Sequence, residues 1–286
     1  VVCGPSDSQV DWTEKIMAGL DGKLHLAQGL SMHYYTLPTG DWNSKGSSTE
    51  FGEDMWFKTL KGTMRIDGFI KQHLAVMDKY DPEGRVKLIV DEWGTWYDKL
   101  PGSANGFLQQ QNTVRDALVA GINLNIFNQH ADRISMANIA QIVNVLQAVI
   151  LTDGPDMVKT PTYHVFKMYN VHQEASLIPL TLECENYEYE GENIPSVTAS
   201  ASEKDGVVSI TLTNANPNKA VDLEIGLDKD LELFNAQIVT GEAINDYNDF
   251  GQEEKVSIRD FEAGKVKNSM LKTSIPSKSV VLLQLK

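Results

Sequence analysis

The most constraining stretch of this 286-residue chain is residues 86–96, VKLIVDEWGTW. Its first five residues are aliphatic or β-branched apart from one lysine. Two adjacent carboxylates, Asp91 and Glu92, then arrive, followed by Trp93, Gly94 and Trp96. An apolar run that gains its carboxylates only at the C-terminal end predicts a buried parallel strand emerging into a site. In an α/β barrel that end is the catalytic face, because the loops there converge on the barrel axis. Strict alternation places Glu92 on the side of Leu88 and Val90, and Asp91 on the side of Ile89. With the first of these sides facing the barrel interior, Glu92 alone projects into the pocket and is the candidate catalytic residue. An Asp-Glu pair after a strand also serves as a solvated loop start or a helix cap, so the dipeptide alone does not decide.

Helical and strand patterns alternate around this stretch. Trp12, Ile16 and Leu20 have helical spacing and stop at Asp21-Gly22, and residues 29–35 (GLSMHYY) read as a strand. Residues 36–54 form a long connection rich in Gly and Ser and carrying Trp42, and connections of that length are often functional. A helix over 56–80 ends at Asp81-Pro82. After a turn-rich segment, a helix over 107–120 and a strand over 122–127 (INLNIF) are expected, the strand delivering Asn128, Gln129 and His130. Strands near 1, 30, 88 and 124 make about four βα units, half of the eight in a (β/α)8 TIM barrel. His130, Asp132 and Arg133 read as a structural hydrogen-bond cluster at a strand end.

Residues 135–151 (SMANIAQIVNVLQAVIL) hold no charge, and Met136, Ile139, Val143, Leu146 and Ile150 form a stripe. They predict a helix capped by Ser135 and buried on more than one side. Its amides, Asn138, Gln141, Asn144 and Gln147, either satisfy neighbouring backbone or send one side chain to a ligand. A short helix follows Thr160-Pro161. From about residue 176 the pattern changes to alternating strands: VTASAS, VVSITLTN, AVDLEIGL, LELFNAQIVTG and SVVLLQLK, separated by Gly, Asn, Asp and Pro. This indicates an antiparallel β-sandwich. The expected organisation is a barrel half over 1–173 and a sandwich over 174–286.

The net charge is −14, and residues 174–286 carry 20 acidic and 10 basic side chains. Neither part offers a basic face for a phosphate backbone, which excludes a nucleic-acid-binding role, whereas neutral sugars need no positive funnel. Cys3 and Cys184 are isolated, there is no HExxH pattern, and no apolar stretch is long enough to span a membrane. Neither a metal nor a cofactor is expected.

Several separate stretches carry a family resemblance. DEWGTWY resembles the DEWNVWY-type motif around the nucleophile of family 51 glycoside hydrolases, the α-L-arabinofuranosidases. HYY at 33–35 is similar to that family's strand-six motif, NQHADRISMANIAQIVNVLQAVI to its H-A-D-R stretch and the following helix, and PSKSVVLLQLK to the last strand of its jelly-roll-like sandwich. The resemblance implies a retaining hydrolase acting on arabinose-containing poly- and oligosaccharides such as arabinan and arabinoxylan. It implies that Glu92 is the nucleophile, Tyr35 holds that carboxylate, His33 lines the pocket, Trp96 forms an apolar wall and Gln141 bonds a furanose hydroxyl. Retaining chemistry needs a second carboxyl, which this family carries in an Asn-Glu pair on barrel strand four. No Asn-Glu dipeptide occurs in the chain, which begins at what resembles strand five. The acid/base is therefore expected upstream of Val1, with the other half of the barrel as partner and a homo-oligomer possible. Gly94 departs from the usual Asn. The compartment is left open, the cytoplasm favoured over the periplasm or secretion. Two rivals remain: a non-catalytic carbohydrate-binding or scaffold fragment, and the same machinery acting as a β-xylosidase or endoglucanase.

Overall fold

Among the described residues, 1–104 and 106–286 of a computed structural model, four segments run parallel in one sheet. Residues 1–6 join it through single bridges, Val2 to Leu30 and Ser6 to His33. Strands β1 (Gly29–Thr36), β2 (Lys87–Thr95) and β3 (Ile134–Ile139) follow in that order. Helices α1 (Val10–Gly19), α2 (Glu53–Tyr80) and α3 (Val114–Gln129) connect them. The architecture is half of an α/β barrel. Leu30, Met32 and Tyr34 of β1 and Leu88, Val90 and Trp93 of β2 pack against Trp56, Leu60 and Ile70 of α2 and Leu118, Ile122 and Ile126 of α3.

Two expected elements are overturned. The strand expected over 122–127 is the second half of α3, and the fourth barrel strand is β3, at 134–139. A capping box between Thr113 and Asp116 starts α3, so residues 107–113 lie outside it. Thirteen of its 16 residues are buried, because it is sandwiched between the barrel sheet and one C-terminal sheet, with a helix on either side. A helix with no solvent face loses the polar stripe that identifies one in sequence. The helix expected over 135–151 is β3 followed by loop and the start of a hairpin, β4 (Ile150–Asp153) and β5 (Asp156–Lys159). Left-handed backbone at Asn144 (φ 60°) and Leu146 (φ 53°) cannot belong to an α-helix. Its first residues serve a parallel ladder instead, Met136 beside Ile89 and Ile139 beside Trp93. His130 and Arg133 pair with Asp67 and Asp78 of α2 at the N-terminal end of β3, remote from the catalytic face.

Helix α4 (Pro161–Tyr169), capped by Thr160, leads into the antiparallel part. Its short strands are β6 (Ser176–Ile178), β7 (Asn186–Tyr189) and β8 (Glu192–Pro195). The longer β9 (Val197–Lys204), β10 (Val207–Asn214), β11 (Val221–Gly226) and β12 (Leu233–Thr240) follow. Then come β13 (Ile258–Asp260), β14 (Val266–Lys267), β15 (Met270–Ile275) and β16 (Ser279–Leu285). One sheet runs β13-β12-β16-β10-β9-β6 and the other β11-β15-β14. The five strands expected from alternation are β9, β10, β11, β12 and β16. Leu212, Leu223, Ile238, Leu271 and Val281 fill the space between the sheets.

The outer face of the larger sheet packs on α3 through hydroxyls. Asn125 Oδ1 accepts from Tyr169 OH (2.9 Å), Ser200 Oγ (3.0 Å) and Thr211 Oγ1 (2.8 Å). Gly121 permits this approach, since a Cβ there would lie 2.4 Å from Thr213 Oγ1. A fully satisfied buried network of this kind fixes one mutual orientation of helix and sheet.

Candidate active site

The site lies at the C-terminal ends of β1 and β2. Opposite His33 the ladder slips: Ser31 pairs with Ile89 but His33 pairs with Glu92, so β2 carries an extra residue there. Leu88, Val90 and Trp93 all face the helices, so Glu92 does not share a face with Leu88 and Val90. The bulge turns it toward the barrel interior, where simple alternation would have sent it into the core. The same irregularity brings both carboxylates to one imidazole. His33 Nε2 is 3.0 Å from Asp91 Oδ1, and Nδ1 is 3.7 Å from Glu92 Oε2.

Tyr35, two residues along β1, donates its hydroxyl to Glu92 Oε2 at 2.7 Å. Burial pushes the phenol above its usual range, and the hydrogen bond and charge of Glu92 push it further, so it stays a donor. Trp96 packs edge-on against Tyr35, with centroids 5.0 Å apart, and Trp42 packs edge-on against Trp96 at 5.3 Å. Trp42 comes from the long β1–α2 connection and was not singled out as a site residue in sequence. It was findable as the one tryptophan in that Gly- and Ser-rich loop. His33, Tyr35, Trp42, Glu92 and Trp96, with Asp7 and Arg65 at the outer edge, line a cavity of about 560 Å³.

The backbone around Trp96 is fixed from behind. Asp116 is buried and accepts from Thr95 Oγ1 (2.7 Å) and Tyr97 OH (3.0 Å). Burial pushes its carboxyl up, and the Arg115 guanidinium opposes that. Gln147 is buried too: its Oε1 accepts from Thr95 N (2.9 Å) and its Nε2 donates to Asp116 O (2.8 Å). Gly94 lies against it with φ 144°, where a Cβ would sit 3.2 Å from both Cβ and Oε1 of Gln147. Of the amides considered in sequence, Gln147 is thus a structural one. Gln141 is exposed just beyond β3, at the same rim one strand from Glu92, and is not among the residues lining the cavity.

A larger cavity of about 660 Å³ lies between the sandwich sheets. Ile178, Leu182, Ile210 and Leu223 line it, and among the described residues it has no aromatic face or imidazole. The smaller cavity, with its carboxylate, imidazole and aromatic lining, is the candidate site.

A parallel-sheet rim presenting a tyrosine-held carboxylate beside aromatic walls, joined to an antiparallel sandwich, is the arrangement of the barrel glycosidases. The chain belongs to the family described as "Alpha-L-arabinofuranosidase C-terminal domain", whose model matches residues 91–279. It is 42% identical, over its whole length, to an intracellular exo-α-L-arabinofuranosidase of Bacteroides ovatus, of which it covers 55%. The crystal structure of a family 51 arabinofuranosidase from Xanthomonas axonopodis pv. citri superposes on 99% of the chain with TM-score 0.94 and 46% identity. A thermostable family 51 enzyme from Thermotoga petrophila shares the fold at TM-score 0.78 and 21% identity. The chain covers 57% of each of these two structures, so it spans little more than half the length of the relatives it matches.

Proposed function

We propose that this chain is the nucleophile-bearing C-terminal part of a retaining α-L-arabinofuranosidase that removes terminal arabinofuranosyl groups from arabinan- or arabinoxylan-type glycans. The observation that carries the proposal is the 2.7 Å hydrogen bond from Tyr35 to Glu92 in a cavity walled by Trp42 and Trp96. Glu92 attacks the anomeric carbon, the glycosidic C–O bond breaks, and a covalent glycosyl-enzyme forms. A second carboxyl, supplied from outside this chain, protonates the departing oxygen and then takes a proton from the water that releases the sugar. Tyr35 holds the Glu92 oxygen in line for attack. His33 lines the pocket next to the nucleophile, Trp96 offers its face to the C–H-rich side of the furanose, and Gln141 at the rim bonds a hydroxyl. The catalytic part is residues 1–173 and the sandwich 174–286. That the Bacteroides ovatus relative is an intracellular enzyme favours an intracellular location.

The test is Glu92→Ala in the full-length protein. Turnover of an aryl arabinofuranoside is expected to vanish and to return in part with added azide, a small anion able to replace the nucleophile. A folded variant that azide does not rescue removes Glu92 from that role. The chain by itself is expected to be inactive, and hydrolysis by the purified 286-residue polypeptide would show the acid/base to be present. A panel of aryl glycosides separates arabinofuranosidase from xylosidase or glucanase action.

A further inference from the structure

Arg115 is fully buried, yet among the described residues no carboxylate takes its guanidinium directly. Its central carbon lies 3.6 Å from the centroid of Phe51 and 4.2 Å from that of Tyr97. The two rings come from different segments, one from the end of the β1–α2 connection and the other from the residue following Trp96. Nη2 donates to the carbonyls of Ser47 (3.1 Å) and Ser48 (3.3 Å), while among the described residues Nε and Nη1 have no hydrogen-bond partner. A desolvated cation held against π faces and backbone carbonyls is costly unless the geometry is kept, and a planar guanidinium suits it where an ammonium does not. Asp98, the residue after Tyr97, ties the same loop, accepting from the backbone N–H groups of Lys45 and Gly46. The root of the loop, residues 45–48, is therefore tied to the Trp96 segment, and its tip carries Trp42 into edge contact with Trp96.

We propose that Arg115 is a positioning residue for the cavity: by clamping the β1–α2 connection to the β2–α3 connection between Phe51 and Tyr97, it sets the spacing of Trp42 and Trp96. The kinetic consequence rests on the cavity being the sugar site, whereas the structural one does not.

The experiment uses Arg115→Met and, as a milder variant, Phe51→Leu in the full-length protein, each first checked for folding by its thermal transition. The readout of spacing is the far-ultraviolet circular dichroism couplet of the tryptophan pair, identified as the signal that Trp42→Phe removes. Both variants are expected to lose or weaken that couplet. KM for an arabino-oligosaccharide is expected to rise about tenfold, short of the roughly 100-fold that a displacement of about 1 Å can cost at reacting groups. The change in kcat should be smaller. A folded Arg115→Met protein with the native couplet and KM overturns the clamp, and if that variant does not fold, Phe51→Leu decides on the same criteria. A lost couplet with unchanged KM overturns its service to the site. No activity even in the unmodified protein sinks the functional reading instead, and leaves the couplet to judge the clamp.

Discussion

The hydroxyl of Tyr35 reaches Glu92 Oε2 across 2.7 Å, from a neighbouring strand and 57 residues earlier in the chain. Because the phenol is held protonated by burial and by the adjacent carboxylate, its proton is there to donate to Glu92. Tyr35→Phe keeps the ring against Trp96 and deletes that donor. The expected result is a fall in kcat of about 100-fold with KM little changed, the cost typical of one preorganised donor at a reacting centre. Steady-state kinetics on an aryl arabinofuranoside with the full-length protein would check it, and an unchanged kcat would refute the positioning role.

Gly94 has φ 144°, and a Cβ there would lie only 3.2 Å from Cβ and Oε1 of Gln147. Gly94→Ala adds both backbone strain and a tight contact that pushes buried Gln147, straining its bond to Thr95 N. A loss of about 2–4 kcal/mol is expected from the two together, read by denaturant unfolding. An effect under about 0.5 kcal/mol, the scale of a neutral surface change, would show the position to be permissive.

Asn125 accepts three hydroxyl hydrogen bonds where α3 meets the larger sheet. Asn125→Leu leaves Tyr169, Ser200 and Thr211 to find other partners in a buried layer. The expected cost is about 2–4 kcal/mol in unfolding free energy, at the upper range for orphaning buried polar groups. Amide hydrogen exchange should report faster opening in α3 and β10. Unchanged protection there would mean that the network does not join the two parts.

Burial lowers the His172 pKa from 6.5 to about 4, its ring nitrogens facing Ser202 and Thr211. Below pH 6.5 the unfolded chain takes up a proton that the folded chain refuses until about pH 4. Stability is therefore full above that window and falls as the pH drops through it, by at most about 3 kcal/mol from this group. His172→Gln should flatten the Tm profile between neutral and acid pH relative to the unmodified protein. Parallel profiles for the two would refute the assignment.

Much of this was legible from one dimension. The apolar run into Asp91-Glu92 announced a parallel strand delivering chemistry at its end, because a buried strand tolerates charge only where it exits. Alternation announced β9, β10, β11, β12 and β16, since one face of each is buried. Helix α2 showed its stripe because it has a solvent side. Where a segment has no solvent side, that signal disappears. The second half of α3 therefore read as a strand. The charge-free run that forms β3 and its following loop read as a helix for another reason: the spacing of Met136, Ile139, Val143, Leu146 and Ile150 mimics a helical stripe, although Met136 and Val143 are exposed.

What sequence by itself determined is local: the residue types, the strand ends and the half-barrel followed by a sandwich. What only tertiary structure decided is direction. A one-residue bulge in β2, invisible to any period-two count, turned Glu92 from the core face to the cavity and set Asp91 beside the same imidazole. Packing against Arg115 brought Trp42 across to Trp96. Such choices depend on contacts between residues far apart in the chain, and their energies exist only once those residues have met.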